Sequence, residues 1–283
     1  AASTLKSRRS FSLGVMVADV ANSFFSQSIN GIESVAYEQG YNVIITQSHD
    51  SYEREVTNIQ HLANRSVDGL LISMSAQTTN YEHIEKLHAQ GLPIVFFDRI
   101  LPNIDTFKVT SDNYKASFDT TERLIKKGHK KIAHLANAPQ LSITIDRLAG
   151  YKAALEKHQL PYLPELVRFC VNGGRELDEV EAAILSILSG TVHPDALFIT
   201  SDRIIIAALR VVNNMPGGLG LPIVGFSNSD VIDLLTPRIS YVRQSAFEMG
   251  QIATQMLIKL IESKYPLHIF ETRLLEAKMH FVK

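Results

Sequence analysis

The stretch Gly14-Val15-Met16-Val17-Ala18-Asp19-Val20-Ala21-Asn22-Ser23-Phe24-Phe25 decides the fold. It predicts a buried strand, a polar turn and two adjacent aromatic residues at the start of an amphipathic helix. A strand that leads into a helix through Asp and Asn is typical of an α/β ligand cleft, because ligands bind beyond the carboxyl ends of parallel strands. Asp19 and Asn22 can hydrogen-bond a polar ligand there, and Phe24 and Phe25 can give it a flat apolar wall.

The bulk composition is that of an ordinary globular protein. With 283 residues, the chain is long enough for one large or two medium α/β lobes. A net charge of −1 argues against this chain alone coating nucleic acid, which requires clustered positive charge. No apolar run is long enough to span a membrane, and residues 1–9 lack the apolar core of a signal peptide. The single cysteine, Cys170, excludes an internal disulfide and fits a reducing cytoplasm.

Short apolar segments alternate with helical periods along most of the chain. Seven of these segments are predicted strands: 13–17, 42–46, 69–73, 93–97, 131–136, 195–200 and 221–226. Most are almost entirely apolar, as strands covered on both faces are. The alternation therefore predicts right-handed βαβ units and parallel sheets.

The chain also contains an internal repeat, because a strand, a loop and a helix of similar length begin near Ser12 and again near Lys130. We therefore predict an N-terminal lobe of residues 11–110 plus 243–264, and a C-terminal lobe of residues 111–242 plus 265–283. The late helix, residues 246–261, is flanked by charged segments at Pro237-Arg238 and Lys264-Tyr265-Pro266. These two segments are predicted to carry further crossings between the lobes.

Polar residues cluster where the predicted strands end. They are Asp19, Asn22, Gln47, Ser48, Ser73, Ser75, Asp98, Arg99, Ser201, Asp202, Ser227 and Asn228, with Arg147 in a similar loop. Arg can donate two hydrogen bonds to vicinal hydroxyls or to a carboxylate, and Asp can accept from hydroxyls. The alternative is that each residue caps the following helix, as we expect for Asp202. Recurrence at six strand ends favours a binding site.

Signatures of an enzyme are weak. Gly225-Phe226-Ser227-Asn228-Ser229 lacks the second glycine of a nucleophile elbow, and Gly217-Gly218-Leu219-Gly220 lacks the residues that complete a phosphate-binding loop. The ten histidines show no zinc-binding spacing, and His129 and His134 beside one strand are poor metal candidates. We therefore expect no catalytic residue, no cofactor and no metal site.

Taken together, these motifs resemble the effector-binding domain of the LacI/GalR family of bacterial transcription regulators. The order and spacing of the landmarks carry the resemblance: residues 14–25, Gly31-Ile32-Glu33, Gly40-Tyr41, 65–72, 91–95, Asp98-Arg99, Ser111-Asp112-Asn113, 128–133, 147–151, 195–198, Ser201-Asp202, Val224-Gly225-Phe226, Gln244 and Glu248-Met249-Gly250. The resemblance implies a periplasmic-binding-protein-like type I fold, in which several crossover strands join two Rossmann-like lobes.

The resemblance also gives meaning to the N-terminus. Residues 1–10 are similar to the end of the family's hinge helix and its linker, where Leu5 occupies the place of a leucine that wedges into the DNA minor groove. The family's helix-turn-helix domain would precede residue 1. The implied partners are a small-molecule effector such as a sugar or sugar phosphate, operator DNA through that upstream domain, and a second copy of the chain in a homodimer. The implied location is the cytoplasm.

The ligand contacts that the resemblance implies are Asp19, Asn22, Phe24, Asp98, Arg147, Ser201, Ser227 and Gln244. The family often has Asn at the position of Ser201 and Asp at that of Ser227, so an acidic acceptor is lost unless Asn228 or Asp230 replaces it. An anionic or bulkier ligand would then suit Arg147 better than a plain sugar. Helices near residues 30–39 and 81–90 are candidate dimer faces.

Two other functions remain as alternatives. A periplasmic sugar-binding protein of an ABC importer would have similar lobes and a similar cleft. A sugar hydrolase or kinase is disfavoured, because a nucleophile, a phosphate loop and a metal cluster are not recognisable.

Overall fold

The computed structural model describes residues 9–282, which form two α/β lobes. Each lobe contains one six-stranded sheet flanked by helices. The prediction of two lobes with parallel sheets is confirmed, and all seven predicted strands are present within two residues of their predicted ends. Leu5 and the rest of the predicted hinge remnant before Arg9 lie outside the described residues.

The first lobe has an all-parallel sheet in the order β11-β5-β4-β3-β1-β2. Its strands are β1 (Ser12–Val17), β2 (Asn42–Gln47), β3 (Gly69–Ile72), β4 (Ile94–Phe97), β5 (Lys108–Ser111) and β11 (Thr272–Leu275). Its helices are α1 (Ser23–Glu38), α2 (Tyr52–Asn64), α3 (Glu82–Ala89) and α8 (Ala246–Glu262). β1, β3 and β4 are almost wholly buried because they carry helices on both faces.

The second lobe repeats this arrangement in the order β12-β10-β9-β8-β6-β7, in which β12 runs antiparallel to β10 and the other described pairs are parallel. Its strands are β6 (Ile132–Ala136), β7 (Val167–Phe169), β8 (Ala196–Ile199), β9 (Ile223–Phe226), β10 (Ser240–Arg243) and β12 (Lys278–His280). Its helices are α4 (Asn113–Lys126), α5 (Ser142–Lys157), α6 (Leu177–Leu188) and α7 (Asp202–Asn214).

The chain passes between the lobes after β5, after β10 and after β11. The prediction that residues 265–283 all belong to the second lobe is wrong for β11, because Thr272–Leu275 extends the first sheet beside Lys108–Ser111. The crossings predicted at Pro237 and Pro266 are also misplaced. Pro237 precedes β10 within the second lobe, and Pro266 lies between α8 and β11 within the first. The remaining lobe boundaries stay a prediction.

α8 belongs to the first lobe because two glycines let it approach α1 closely. A Cβ atom on Gly31 would overlap the carbonyl oxygen of Phe247, and one on Gly250 would overlap that of Ser28. The two helices therefore pack backbone to backbone and share the core of the first lobe with β1 and β4. Within the described residues, no helix is long and apolar enough to cross a membrane.

Candidate functional site

The carboxyl ends of the two sheets face each other across a narrow cleft, where seven of the eight predicted contact residues lie. These are Asn22, Phe24, Asp98, Arg147, Ser201, Ser227 and Gln244; the eighth, Asp19, lies just outside. The cavity between them is only about 30 Å³, which leaves room for water but not for a sugar. The lobes are therefore closed on each other, and the side chains themselves fill the cleft.

Arg147 extends from α5 into the centre of this cleft. Its Nε donates to Asn113 Oδ1 (2.8 Å), one Nη donates to the backbone oxygen of Thr200 (2.7 Å) and the other donates to Gln244 Oε1 (3.1 Å). Its guanidinium stacks 3.8 Å above the centre of the Phe226 ring. Because a guanidinium has five N–H groups, two remain for a ligand.

The charge of Arg147 has no carboxylate partner. Its side chain is 2% exposed, and within residues 9–282 it forms no ion pair. Burial lowers its pKa to about 10, and the nearby carboxyl of Asp98 opposes that shift. Arg147 is therefore charged at neutral pH, held only by neutral acceptors. A buried cation in this state favours an anionic or strongly accepting ligand.

Arg99 lies at the end of β4, on the opposite wall of the cleft, and is paired. One Nη donates to Asp50 Oδ1 (2.5 Å) and to the backbone oxygen of Met74 (3.2 Å). Asp50 Oδ1 also accepts from the backbone N–H of Ala76 (2.9 Å). Sequence reasoning missed Asp50, which stands three residues after β2 and shows no local pattern that indicates its partner.

Asp98 lies next to Arg99 in the left-handed backbone region, with φ of 59°. Desolvation by burial raises the pKa of its carboxyl, although the charges of Arg99 and Arg147 partly oppose the shift. Its Oδ1 atom is buried and has no hydrogen-bond partner among the residues that the structure describes. A residue held in this uncommon conformation with an unused acceptor is typical of a binding site.

The acidic acceptor on the second lobe is Asp202, not Ser227. The prediction that Asp202 caps a helix is wrong, because it is the first residue of α7 and Ser201 is the N-cap residue. The Asp202 carboxylate accepts from the hydroxyl of Ser227 and from the backbone N–H of Asn228 (3.0 Å), and burial raises its pKa. A carboxylate therefore lies beside Ser227 although the chain has no acid at that position.

Neither residue that sequence analysis offered as a replacement acid faces the cleft as an acceptor. Asn228 donates to Gln27 Oε1 (2.9 Å) and to the backbone oxygen of Gln244 (2.8 Å). The side chain of Asp230 is 81% exposed and lies 3.7 Å from Arg243. Asn228 thus joins the lobes, and Asp230 is at the surface.

Three further predicted residues have structural roles at the cleft. Asn22 caps α1, because its Oδ1 accepts from the backbone N–H of Phe24 (2.9 Å), so the capping interpretation holds alongside its place in the wall. Phe24 is buried in the core of the first lobe. Gln244 Oε1 accepts from the hydroxyl of Ser111 (2.9 Å) as well as from Arg147, so it links β5 to the second lobe.

Asp19 sits at the mouth of the cleft rather than inside it. Its carboxylate pairs with Arg203 and lies 3.5 Å from Arg175, both in the second lobe. Its other oxygen accepts from the backbone N–H of Ala21 (2.9 Å). Sequence analysis did not identify either arginine, because their proximity to Asp19 exists only once the lobes are closed.

Of the two histidines at the start of β6, His129 precedes the strand and His134 lies within it. Among the described residues, no group of three or more potential ligands could hold a metal ion. His134 is buried between Tyr151 and Phe198, with ring centres 4.6 Å and 5.3 Å away. Burial, followed by the charge of Arg147, lowers its pKa to about 3, so the ring is neutral.

Comparison with known proteins settles the family. Residues 10–258 match the family described as periplasmic binding proteins and sugar binding domain of LacI family. The chain belongs to this family. It is 28% identical over 265 residues to catabolite control protein A of Priestia megaterium, an alignment that covers 92% of this chain and 78% of that protein. It is 27% identical over 267 residues to the transcriptional repressor PurR of Vibrio atlanticus, covering 93% and 78%.

Solved structures agree. A putative ribose operon repressor from Burkholderia thailandensis superposes with a TM-score of 0.84 at 28% identity, covering 97% of this chain and all of that one. The complex of the transcriptional regulator CelR with cellobiose superposes with a TM-score of 0.81 at 26% identity, covering 96% of this chain and 84% of that one. The predicted type I fold is confirmed. The chain is the effector-binding domain of a LacI-type regulator, and the importer alternative is set aside.

Proposed function

We propose that this domain binds a small polar metabolite, a sugar or sugar derivative, between its lobes, and that binding alters the affinity of the regulator for operator DNA. The observation that carries the proposal is Arg147, a buried cation without an ion pair at the centre of the cleft. Its two unused N–H groups and the unpartnered Oδ1 of Asp98 offer complementary donors and an acceptor to a hydroxylated ligand.

Entry of such a ligand requires the lobes to open, because the cavity of about 30 Å³ is far smaller than the several hundred cubic ångströms of ordinary ligand pockets. Several direct bonds hold the closed state, among them the pairing of Asp19 with Arg203 and the hydrogen bond that Gln140 donates to the backbone oxygen of Ala76. Gln27 and Asn228 exchange two hydrogen bonds of 2.9 Å, and the hydroxyl of Ser142 accepts from the backbone N–H of Ile100 (3.0 Å). Hinge closure around a ligand is therefore the expected conformational change.

The lobe angle would control DNA binding through a dimer. Two hinge segments must match two half-sites on the operator, so a change in their spacing changes affinity. A ligand can shift this equilibrium only by its differential affinity for the two states, typically about 1–3 kcal/mol. The candidate dimer faces remain residues 30–39 and 81–90; in the former, Tyr37 is 79% exposed.

The rest of the proposal follows from this role. The protein acts in the cytoplasm, where operator DNA is reached through a helix-turn-helix domain that precedes this chain, and it performs no catalysis. Asp19, Asn22, Phe24, Ser201, Ser227 and Gln244 are the proposed additional ligand contacts. The relatives named above are transcriptional regulators, which supports a role at operator DNA and the absence of catalysis.

The test is thermal unfolding of the chain against sugars, sugar phosphates, sugar acids and nucleobases. A ligand at about 100 times its dissociation constant should stabilise the fold by about 2.7 kcal/mol, which gives a clear rise in melting temperature. Arg147→Lys keeps the charge but loses the planar fork, so it should abolish the rise while the domain stays folded. If no compound acts, or if the variant responds like the wild type, the proposal fails.

A further inference from the structure

A second, larger cavity of about 320 Å³ lies at the mouth of the cleft. It shares Asn22 and Asp202 with the wall of the inner site, so the two spaces adjoin. We call it the vestibule and define it by Asn22, Arg175, Asp202, Arg203, Arg210 and Ser229. Because it is open while the inner cleft is filled, it can accept a group without any opening of the lobes.

The vestibule is rich in positive charge. Three guanidiniums, those of Arg175, Arg203 and Arg210, line it together with one carboxylate, that of Asp202. Asp202 already accepts two hydrogen bonds from the loop after β9. Asp19, which does not line the cavity, pairs with Arg203 and lies 3.5 Å from Arg175. Arg210 makes no ion pair within residues 9–282.

Helix geometry adds to this field. α1, α6 and α7 all begin at the vestibule wall, where their first residues are Ser23, Leu177 and Asp202. The first N–H groups of a helix lack intrahelical acceptors and carry partial positive charge. Acidic side chains in the first turns of α6 (Asp178, Glu179) and α7 (Asp202) offset part of this charge, whereas the first turn of α1 carries no acid. The start of α1 and the three arginines are therefore the groups that favour an anion.

We propose that the vestibule binds a phosphate group, and that this phosphate belongs to an effector whose hydroxylated part contacts Arg147. The second clause rests on the function proposed above, and the first does not. A phosphate monoester carries up to two negative charges and can accept bidentate bonds from guanidiniums, which suits three arginines better than a neutral ligand does.

Asp19 already interacts with two of the three vestibule arginines. Its carboxylate bridges from the first lobe to Arg203 and Arg175 of the second, as an anionic ligand would. The side chain of Asp19 is 12% exposed, whereas those of Arg175 and Arg203 are 30% and 31% exposed, so both arginines remain accessible. Asp19 and phosphate therefore compete for the same guanidiniums.

The experiment measures the affinity of the purified chain for inorganic phosphate. Melting temperature is followed across a phosphate series in which sodium chloride holds the ionic strength constant. We expect Arg210→Gln to weaken phosphate binding by about tenfold, since it removes a charge-assisted hydrogen bond. Asp19→Asn should tighten binding by several-fold, because it removes the competing charge and keeps an acceptor for Ala21. The matched control is Arg65→Gln, an exposed arginine at the end of α2.

The outcomes separate cleanly. Opposite shifts in the Arg210 and Asp19 variants, with no shift in the control, support a phosphate site. No binding beyond the effect of ionic strength, or equal losses in Arg210→Gln and Arg65→Gln, overturns it. A second arm compares sugar phosphates with their unphosphorylated parents. Tighter binding of the phosphorylated forms assigns the phosphate to the effector, whereas equal binding overturns that assignment and leaves free phosphate as the ligand. Failure of all sugars and sugar phosphates would contradict the proposed function and the assignment of the phosphate to an effector, while the result with inorganic phosphate still decides the phosphate site itself.

Discussion

Two arginines, Arg99 and Arg147, approach the cleft from opposite lobes with nearly equal burial, 7% and 2% exposed. Arg99 has Asp50 as an ion-pair partner, and Asp50 is further held by the backbone of Ala76. Arg147 has an amide, a backbone carbonyl and a glutamine instead. The difference separates two states of the same residue type, one paired within the fold and one that we propose is left for a ligand.

The physical reason is the cost of burying charge. A buried pair is strongly destabilised when one partner is removed, because the other charge is left without compensation. Arg147 exists in that uncompensated state already, and neutral hydrogen bonds offset only part of the cost. An external acceptor would recover the remainder. We therefore expect mutations at the Arg99 pair to lower the stability of the fold, and mutations around Arg147 to weaken ligand binding.

The largest predicted effect is the loss of stability when the Asp50–Arg99 pair is broken. Asp50→Asn should lower the free energy of unfolding by about 3–5 kcal/mol, since it leaves the Arg99 charge buried and unpaired. Urea denaturation at neutral pH measures this loss. Asp230→Asn is the matched control, and it should change stability little because the carboxylate is 81% exposed. Equal effects of the two substitutions would show that the Asp50–Arg99 pair does not anchor the first wall.

The second prediction concerns the pH dependence of stability that arises from His134, which is buried near Arg147. Burial and the charge of Arg147 lower the pKa of His134 to about 3 in the folded protein, whereas an ordinary histidine, as in the unfolded chain, has a pKa of 6.5. The unfolded chain therefore binds more protons in that window, so stability is full above pH 6.5 and falls as pH drops towards 3. The loss amounts to about 2 kcal/mol between pH 7.5 and pH 5.

His134→Phe should remove this contribution. Asp98 and Asp202 have raised pKa values, so their contribution to the free energy of unfolding falls as the pH rises. The relevant quantity is therefore the slope of unfolding free energy against pH in the wild type minus the same slope in the variant. Urea unfolding at several pH values gives both slopes. Parallel slopes would mean that His134 is not held neutral behind Arg147.

The smallest predicted change tests the contact between the two walls. Gln27→Leu removes the two hydrogen bonds exchanged with Asn228 and should cost about 1 kcal/mol of unfolding free energy. Because a less populated closed state lowers apparent affinity, effector binding should weaken as well. Calorimetric titration measures the affinity, and Gln60→Leu, on the exposed face of α2, is the control. Unchanged affinity in Gln27→Leu would separate closure from binding.

The strands of the two lobes differ in how well the sequence predicts them. Strands such as β1, β3 and β4 were predictable because both faces are covered and the segments are continuously apolar. β11 and β12 were missed because they are edge strands of three or four mostly exposed residues, with no apolar run. Their lobe assignment depends on pairing with β5 and β10, which are distant in the sequence.

The candidate site divides in the same way. The family resemblance implies eight contact residues, and seven of them lie at the cleft. Partnership is not local. Asp50 meets Arg99 and Asp202 meets Ser227 across separate strands, and nothing near either residue in the sequence indicates its partner. The exchange of an acid at position 227 for Asp202 could therefore be recognised only in three dimensions.

The most direct test of the central claim is to give Arg147 an internal carboxylate. Gln244→Glu is nearly isosteric and keeps the oxygen that accepts from Arg147 and Ser111, so it makes Arg147 resemble Arg99. Gln244→Met removes the amide without adding charge and controls for loss of a ligand contact. We predict, by calorimetric titration with the effector found in the ligand panel, that Gln244→Glu binds at least about tenfold more weakly than Gln244→Met while remaining as stable as the wild type. Equal affinities in the two variants would contradict the claim that Arg147 is left unpaired for the ligand.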